Sequence, residues 1–444
     1  MGGSPPPGRM ASPAETLAAR RSAMGLSVSH VVGAVPASVS GDRKEDVLTR
    51  TTAPPAWRRA VLVLFAVAAG TNVPTPLLLV YKVQLGLSAE TLTALFGVYA
   101  AGLVPSLLVA GPLSDRIGRR GVVLPFVAMS ALASLLFVVA AHSLPLLFLA
   151  RFLQGVVSGA VFSVGSAWIG ELSPGDGSGA RRAAAAMSAG FSLGPLISGF
   201  LAEYAPLPTT LPYLLHIGVV VLGFAAARRL PETVPLDRPR PDRAERTREP
   251  LVRASDRWTL CTVIAPVAVC VYAFPSVVIA ALPVLVRLPG DGVVVTGVLA
   301  GITLGASTLA APLQRRLGRW TAVVAATCGS AGYALALVAA RSGRVPVLLP
   351  GAVLLGAGGG LALAAGLALI AQIALPARRG ALTSVFYACA YVGFAAPFAT
   401  ALAARHGGPG RPLAVASLLA GLLALRLVSI ARRPAPVAAQ ALAV

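Results

Sequence analysis

Long apolar runs, each near the ~20 residues that cross a bilayer, alternate along this chain with short basic connections. The hydropathy pattern predicts spans at about 58–81, 90–112, 121–141, 144–170, 181–203 and 210–228. After a polar linker at 229–257, six more follow at about 258–286, 292–312, 320–340, 345–372, 380–404 and 411–431. The reading is therefore an all-α integral membrane protein of 12 transmembrane helices in two six-helix halves, 57–228 and 258–431. Residues 1–56, rich in Pro, Ser, Ala and Arg and without periodicity, read as a disordered cytoplasmic tail. Their apolar stretch after Met24 is broken by Ser27, Ser29 and His30, too weak for a signal peptide. Residues 432–444 read as a second cytoplasmic tail.

Charge placement fixes the expected orientation. Arg58, Arg59, Arg116, Arg119, Arg120, Arg181, Arg182, Arg315, Arg316, Arg319, Arg378 and Arg379 fall in one set of loops, as do the linker's arginines. Only Lys82, Arg287, Arg341, Arg344, Arg405 and Arg411 fall in the other set. That bias puts both termini in the cytoplasm of a plasma or inner membrane protein. It also disposes of the net charge of +21 as a nucleic-acid signal, because the basic residues are dispersed as topology determinants rather than gathered in a patch. Apolar residues make up 56% and charged residues 12%, about half the charged share of a soluble chain, which supports the same class.

The halves resemble each other at an offset of 200 residues. Gly111-Pro-Leu-Ser-Asp-Arg-Ile-Gly-Arg-Arg120 joins spans 2 and 3, and Ala311-Pro-Leu-Gln-Arg-Arg-Leu-Gly-Arg-Trp320 joins spans 8 and 9. Two halves of one topology form a parallel repeat, with substrate expected near the midplane between them. In the first copy, Gly111 permits close helix approach and Gly118 suits a turn of positive φ. Arg116, Arg119 and Arg120 hold the connection of about eight residues in the cytoplasm, and Asp115 suits a helix N-terminus or an arginine.

Gly111, Leu113, Asp115, Arg116, Gly118, Arg119 and Arg120 resemble the signature loop of the major facilitator superfamily. The resemblance implies a loop that latches the cytoplasmic ends of the halves in the outward-facing state. Arg315 stands where the second copy would carry the acid, so a symmetric latch is not expected.

Three further patterns are candidates for function. Arg151, in Leu149-Ala-Arg-Phe-Leu-Gln-Gly155, lies about 10 Å inside the membrane at 1.5 Å per residue. A charge that deep faces protein or a water-filled cavity. Gln154 shares its face, and Gly155 and Gly159 form a small-residue seam. The family's comparable arginine is tied to proton coupling or substrate binding. In span 5, Gly190, Gly194 and Ser198 share a face, Pro195 introduces a kink, and Gly199 follows. This resembles the family's antiporter motif and implies export. In span 1, Pro74 and Pro76 bend or open the helix, placing Asn72 to line a cavity.

Tyr272, Phe274, Tyr387 and Tyr391 are expected to supply cavity aromatics from the second half, where Gly356, Gly358, Gly359 and Gly360 make span 10 narrow and flexible. His216 reads as a packed, neutral side chain. None of the 16 acidic residues sits in the middle of a span, which disfavours strongly cationic cargo.

No G-x-S-x-G elbow, phosphate-binding loop or metal-ligand cluster appears, and Cys261, Cys270, Cys328 and Cys389 read as buried free thiols. No enzymatic activity and no cofactor are therefore expected. The reading is a secondary transporter that exports small amphipathic molecules by alternating access. The expected partners are a small-molecule substrate, the lipid bilayer and a coupling proton, with the chain acting as a monomer. Uptake or facilitated transport of a sugar or organic acid is the alternative, and a membrane enzyme or sensor the second alternative.

Overall fold

A computed structural model describes Gly2 and residues 55–175, 178–234, 257–290, 292–374 and 379–432. The two expected tails outside those ranges, most of the linker, Asp291 and Arg378 lie outside the described residues. Fourteen helices matter here: α1 (Ala56–Thr71), α2 (Pro74–Leu85), α3 (Ala89–Ile117), α4 (Arg119–Val139), α5 (Leu144–Glu171), α6 (Ser178–Tyr204) and α7 (Leu211–Arg228), then α8 (Arg257–Leu285), α9 (Val293–Ala310), α10 (Thr321–Ser342), α11 (Leu348–Ile373), α12 (Arg379–Val392), α13 (Ala396–Ala404) and α14 (Gly410–Ala431). Among the described residues, 11 continuous helical stretches are long and apolar enough to cross a membrane. The longest, Val293–Ser342, has 50 residues and contains both α9 and α10, separated at Gly318 (φ 50°, ψ −124°).

Apolar burial divides the chain. One core cluster draws only on residues of 56–230, around Leu64, Val161, Trp168 and Ile169. Two others draw only on α8–α14, around Ile264 and Phe386 and around Phe274 and Tyr333. A small cluster mixes the two groups: Phe96 from α3 with Ile279, Ala280, Ala300 and Phe394. The outward faces stay apolar, with Leu132, Leu222, Leu418 and Leu425 more than half exposed, as suits lipid contact.

Two elements differ from the sequence expectation. The connection after span 2 is one residue long rather than about eight. Helix α3 runs on through Gly111 to Ile117, its Ser114 hydroxyl bonded to the Gly111 carbonyl at 2.8 Å, and Gly118 alone (φ 86°) makes the turn into α4. Pro112 withholds only the N–H due to the Leu108 carbonyl, and the helix continues through it. Span 10 is narrow but unbroken, because its glycines serve packing. A Cβ on Gly356 or Gly360 would press on the Thr303 and Ser307 carbonyls of α9, and one on Gly359 would press on the Val271 carbonyl of α8.

The two helix groups meet along α6 and α9. Gly199 and Gly297 bring their backbones together, where a Cβ on Gly297 would sit 2.6 Å from the Pro195 carbonyl oxygen. Ser188 and Thr308 share a hydrogen bond of 2.7 Å farther along. At the end away from Gly118, the Val294 N–H donates to a Glu203 carboxylate oxygen at 2.7 Å, and Arg405 stands 3.5 Å from Glu90.

Candidate substrate cavity

The site begins with a break in the first span. Pro74 has no N–H for the Gly70 carbonyl, and Pro76 has none for the Asn72 carbonyl. Thr75 N–H turns to the Asn72 oxygen at 3.0 Å, so Thr71 also loses its helical donor. Helix α1 therefore ends at Thr71 and α2 restarts at Pro74, leaving the Thr71 oxygen without a main-chain donor and the Gly70 oxygen with only a long 3.3 Å bond from Val73 and that of the Asn72 cap. Both find partners on α5. The Arg151 guanidinium donates through Nη1 to the Thr71 carbonyl at 2.8 Å, and Gln154 Nε2 donates to the Gly70 carbonyl at 2.6 Å. Arg151 Nη1 also donates to Gln154 Oε1 at 2.6 Å. Thr71 Oγ1 and Ser158 Oγ lie 3.2 Å apart in the same network.

A glycine seam presses α5 against α3. A Cβ on Gly155 would lie 2.0 Å from the Tyr99 carbonyl oxygen, and one on Gly102 or Gly159 would lie 2.3 Å from a carbonyl of the facing helix. This approach carries the rings of Tyr99 and Phe96 over Arg151, with guanidinium-to-centroid distances of 5.2 and 5.4 Å. Cation–π attraction of this kind is worth ~2 kcal/mol when desolvated.

Arg151 is 1% exposed, and its Nε has no hydrogen-bond acceptor. It lines a cavity of about 100 Å³ together with Asn72, Phe96 and Tyr99 from one helix group and Tyr272, Ser276, Tyr391 and Phe394 from the other. Tyr272 and Tyr391 stack at 5.0 Å, and Phe394 lies 4.8 Å from Tyr272 and 5.6 Å from Phe96. Helix α8 reaches the cavity beside a π-helical turn, Val277–Ala281, of the type frequent at functional sites.

The candidates from the sequence separate clearly. Arg151, Asn72, Tyr272 and Tyr391 meet at the cavity. Gln154 sits behind Arg151 and holds it. Phe274 is a correction: it packs in the core against Gly329 and Tyr333, because it projects from α8 on a different face than Tyr272. Tyr387 is a second correction. One turn before Tyr391, it packs edge-on against Phe386 and does not line the cavity. Phe96, Tyr99 and Phe394 were missed. Their signal was available for Tyr99, which lies opposite Gly155 across a seam of small residues.

The span 5 glycines divide by partner. Gly190 and Gly194 fit against α1, at Ala68 and the Ala69 carbonyl, while Gly199 meets α9. Pro195 is buried within an uninterrupted α6, and Ser198 Oγ bonds to its carbonyl at 3.2 Å. His216 is 5% exposed. Its Nε2 donates to the Ala66 carbonyl at 3.0 Å, so in the neutral ring Nδ1 accepts from Ser134 at 2.7 Å.

The turn at Gly118 forms a separate charged cluster. Arg119 reaches Asp115 at 2.7 Å, Glu171 at 2.7 Å and the Ser114 hydroxyl. Leu113 packs on the core beneath, Gly111 approaches Ser163 of α5, and Arg116 is exposed. Arg120 donates to the Arg228 carbonyl at 3.0 Å. Asp115 faces arginine, and the anion at the start of α4 is instead Glu232. Its two oxygens accept the Arg119 and Arg120 N–H groups at 2.9 Å each. Burial raises the Glu232 carboxyl, but four main-chain donors, from Arg120, Arg119, Val234 and Thr233, outweigh it and hold the group below the usual carboxylate range. All of these contacts lie within α1–α7 and the few residues that follow α7.

These features match known proteins. Over 81 residues the chain is 42% identical to the multidrug resistance protein MdtL of Shewanella sp. (strain ANA-3), covering 18% of this chain and 20% of that one. Over 189 residues it is 32% identical to the staphyloferrin B transporter of Staphylococcus aureus (strain NCTC 8325 / PS 47), covering 40% and 44%. The chain thus spans less than half the length of these curated relatives. A crystal structure of a POT family transporter in complex with 5-aminolevulinic acid superposes with a TM-score of 0.70 at 14% identity, covering 86% of this chain and 97% of that one. The family model of the Major Facilitator Superfamily matches residues 60–343, more than half of the sequence, and takes in the Gly118 turn, the Arg151 helix and the broken first span together. With its membrane-length helices and shared fold, this multi-pass membrane protein belongs to the Major Facilitator Superfamily.

Proposed function

We propose that the protein is a proton-coupled exporter of small amphipathic molecules, working by alternating access of two six-helix halves, 57–228 and 258–431, joined by the linker at 229–257. In this reading the 50-residue stretch Val293–Ser342 crosses twice, with Gly318 as its turn, and the arginine bias supports 12 crossings with both termini in the cytoplasm. One observation carries the reading: a buried arginine from one helix group and stacked rings from the other enclose a single cavity. Cargo held there touches both groups, so its binding energy favours their closure, as rocking transport needs.

Contacts at the Glu203 end join the groups, while the Gly118 cluster pairs within its own group. That pattern fits a state closed outside with the cytoplasmic latch released. The relative named for multidrug resistance supports export. Among the described residues no carboxylate lines the cavity, an observation that favours the second reading, facilitated movement without a proton.

The test is proton flux in energised everted vesicles containing the protein, challenged with a panel of amphipathic compounds. Proton release from the lumen on adding a compound, lost in Arg151→Ala, supports coupled export. Compound movement at a rate independent of the pH gradient sinks coupling and leaves facilitated transport.

A further inference from the structure

We propose that the cavity selects planar aromatic molecules bearing one negative charge, with Arg151 as the counter-ion supplied by the protein. The inference rests on the transport reading for its purpose, but its evidence is the chemistry of the cavity.

A guanidinium held out of water carries a desolvation cost that a carboxylate partner ordinarily offsets. Arg151 has none. The described acids stand at helix ends or beyond them: Glu90 opens α3, Asp115 and Glu171 close α3 and α5, Glu203 closes α6, and Glu232 follows α7. Two of these, Asp115 and Glu171, are already engaged by Arg119. The groups that do face Arg151 are neutral dipoles, the Thr71 carbonyl and Gln154 Oε1, and the rings of Phe96 and Tyr99. They satisfy one of its nitrogens and leave Nε without an acceptor. An anion entering the cavity gains a charge-assisted hydrogen bond in a low-dielectric surround, where such bonds are strongest. A neutral amide gains less, and a cation meets repulsion.

The remaining walls specify the body of the ligand. Tyr272, Tyr391 and Phe394 lie nearly parallel, with interplanar angles of 11°, 27° and 16° among the three pairs, and offer faces to a flat π-system. Among the described residues Arg151 is the only cation lining the cavity, so a single negative charge is matched and a second is not. A cavity of about 100 Å³ is smaller than the ~150 Å³ that houses benzene in an engineered protein site, so a two-ring ligand enters as the helix groups part. The charge then rests on one group and the ring on the other.

The test is binding of three matched probes, 2-naphthoate, 2-naphthamide and 2-naphthylmethylammonium, to the full chain in nanodiscs of zwitterionic lipid, by titration calorimetry. Naphthoate is expected to bind at least about tenfold more tightly than either of the others. Arg151→Gln is expected to bring naphthoate down to the level of the amide while leaving amide binding in place. Equal affinity for the three, tighter binding of the ammonium, or no binding of naphthoate overturns the proposal. The wild-type comparison decides even where the variant does not fold. The same probes in loaded vesicles separate the two readings. Naphthoate bound but not carried ends the transport reading with selectivity intact, whereas an ammonium bound and carried in preference ends this inference and leaves transport standing.

Discussion

Two arginines of the same helix group have opposite surroundings. Arg119 lies at a helix turn with Asp115 and Glu171 both within 2.7 Å, and a third acid, Glu232, caps the helix that it begins. Arg151 lies deep in the bundle with carbonyls, an amide and rings for company. Both are nearly inaccessible, at 9% and 1% exposed. The first is a structural joint whose charges close on themselves. The second keeps one donor without an acceptor beside a cavity, the feature on which the proposed anion site rests.

The strongest way to break this contrast is to remove each cation and compare signs. Arg151→Ala should lower transport at least about tenfold, in keeping with a charge retained inside a membrane for function. Its melting temperature in nanodiscs should change little, since relief of an unpaired buried charge is offset by the loss of the Thr71 and Gln154 bonds and the ring contacts. A large loss of thermal stability with transport intact would reverse the assignment. Arg119→Ala should do the opposite, costing about 0.5–1 kcal/mol by removing its pairs with the solvent-reachable Glu171 and Asp115, while cargo affinity in protein that still folds is unchanged.

A third substitution sharpens the comparison from the packing side. Gly155→Ala puts a methyl group against the Tyr99 carbonyl and should destabilise by about 1–3 kcal/mol. It should also weaken cargo binding, because the Tyr99 ring moves off Arg151. Equal cargo affinity in the variant, measured by calorimetry, would separate the seam from the site. The smallest effect is expected at Glu232. Its carboxyl is held low in the folded state, so its contribution is present above the ordinary carboxylate range and is lost as pH falls through the lowered value. Glu232→Gln should lower stability by about 0.3–1 kcal/mol near neutral pH, with the difference from wild type fading in acid. A difference that persists or grows as the medium is acidified would show that the carboxylate is not the stabilising form.

The spans were legible because a bilayer demands ~20 apolar residues and tolerates little else. The boundaries of α5, α7 and α14 fall within about a residue of the hydropathy reading for that reason. Arg151 was legible on the same ground, as a charge where charges are costly. The end of α3 was misjudged by five residues, because Gly111 and Pro112 suggest a loop locally while the packing on α5 keeps the helix going. Cavity aromatics were the least legible. Phe274 and Tyr387 are as apolar as Tyr272 and Tyr391, and only the rotation of each helix decides which ring faces inward. Phe394 gave no sequence signal at all, since it sits in a short 3₁₀ turn between α12 and α13 that redirects its side chain.

The break between Thr71 and Pro74 has a consequence for mutational tolerance. Arg151 and Gln154 are moored to main-chain oxygens, which every residue type carries. Exchanging the Thr71 side chain leaves its carbonyl in place, whereas Gly70 is closed to substitution because a Cβ there would lie 2.2 Å from the His216 ring. Part of the information that holds the arginine is stored in two prolines, so the mooring is tolerant of change in the Thr71 side chain and exposed to drift at Gly70, Pro74 and Pro76.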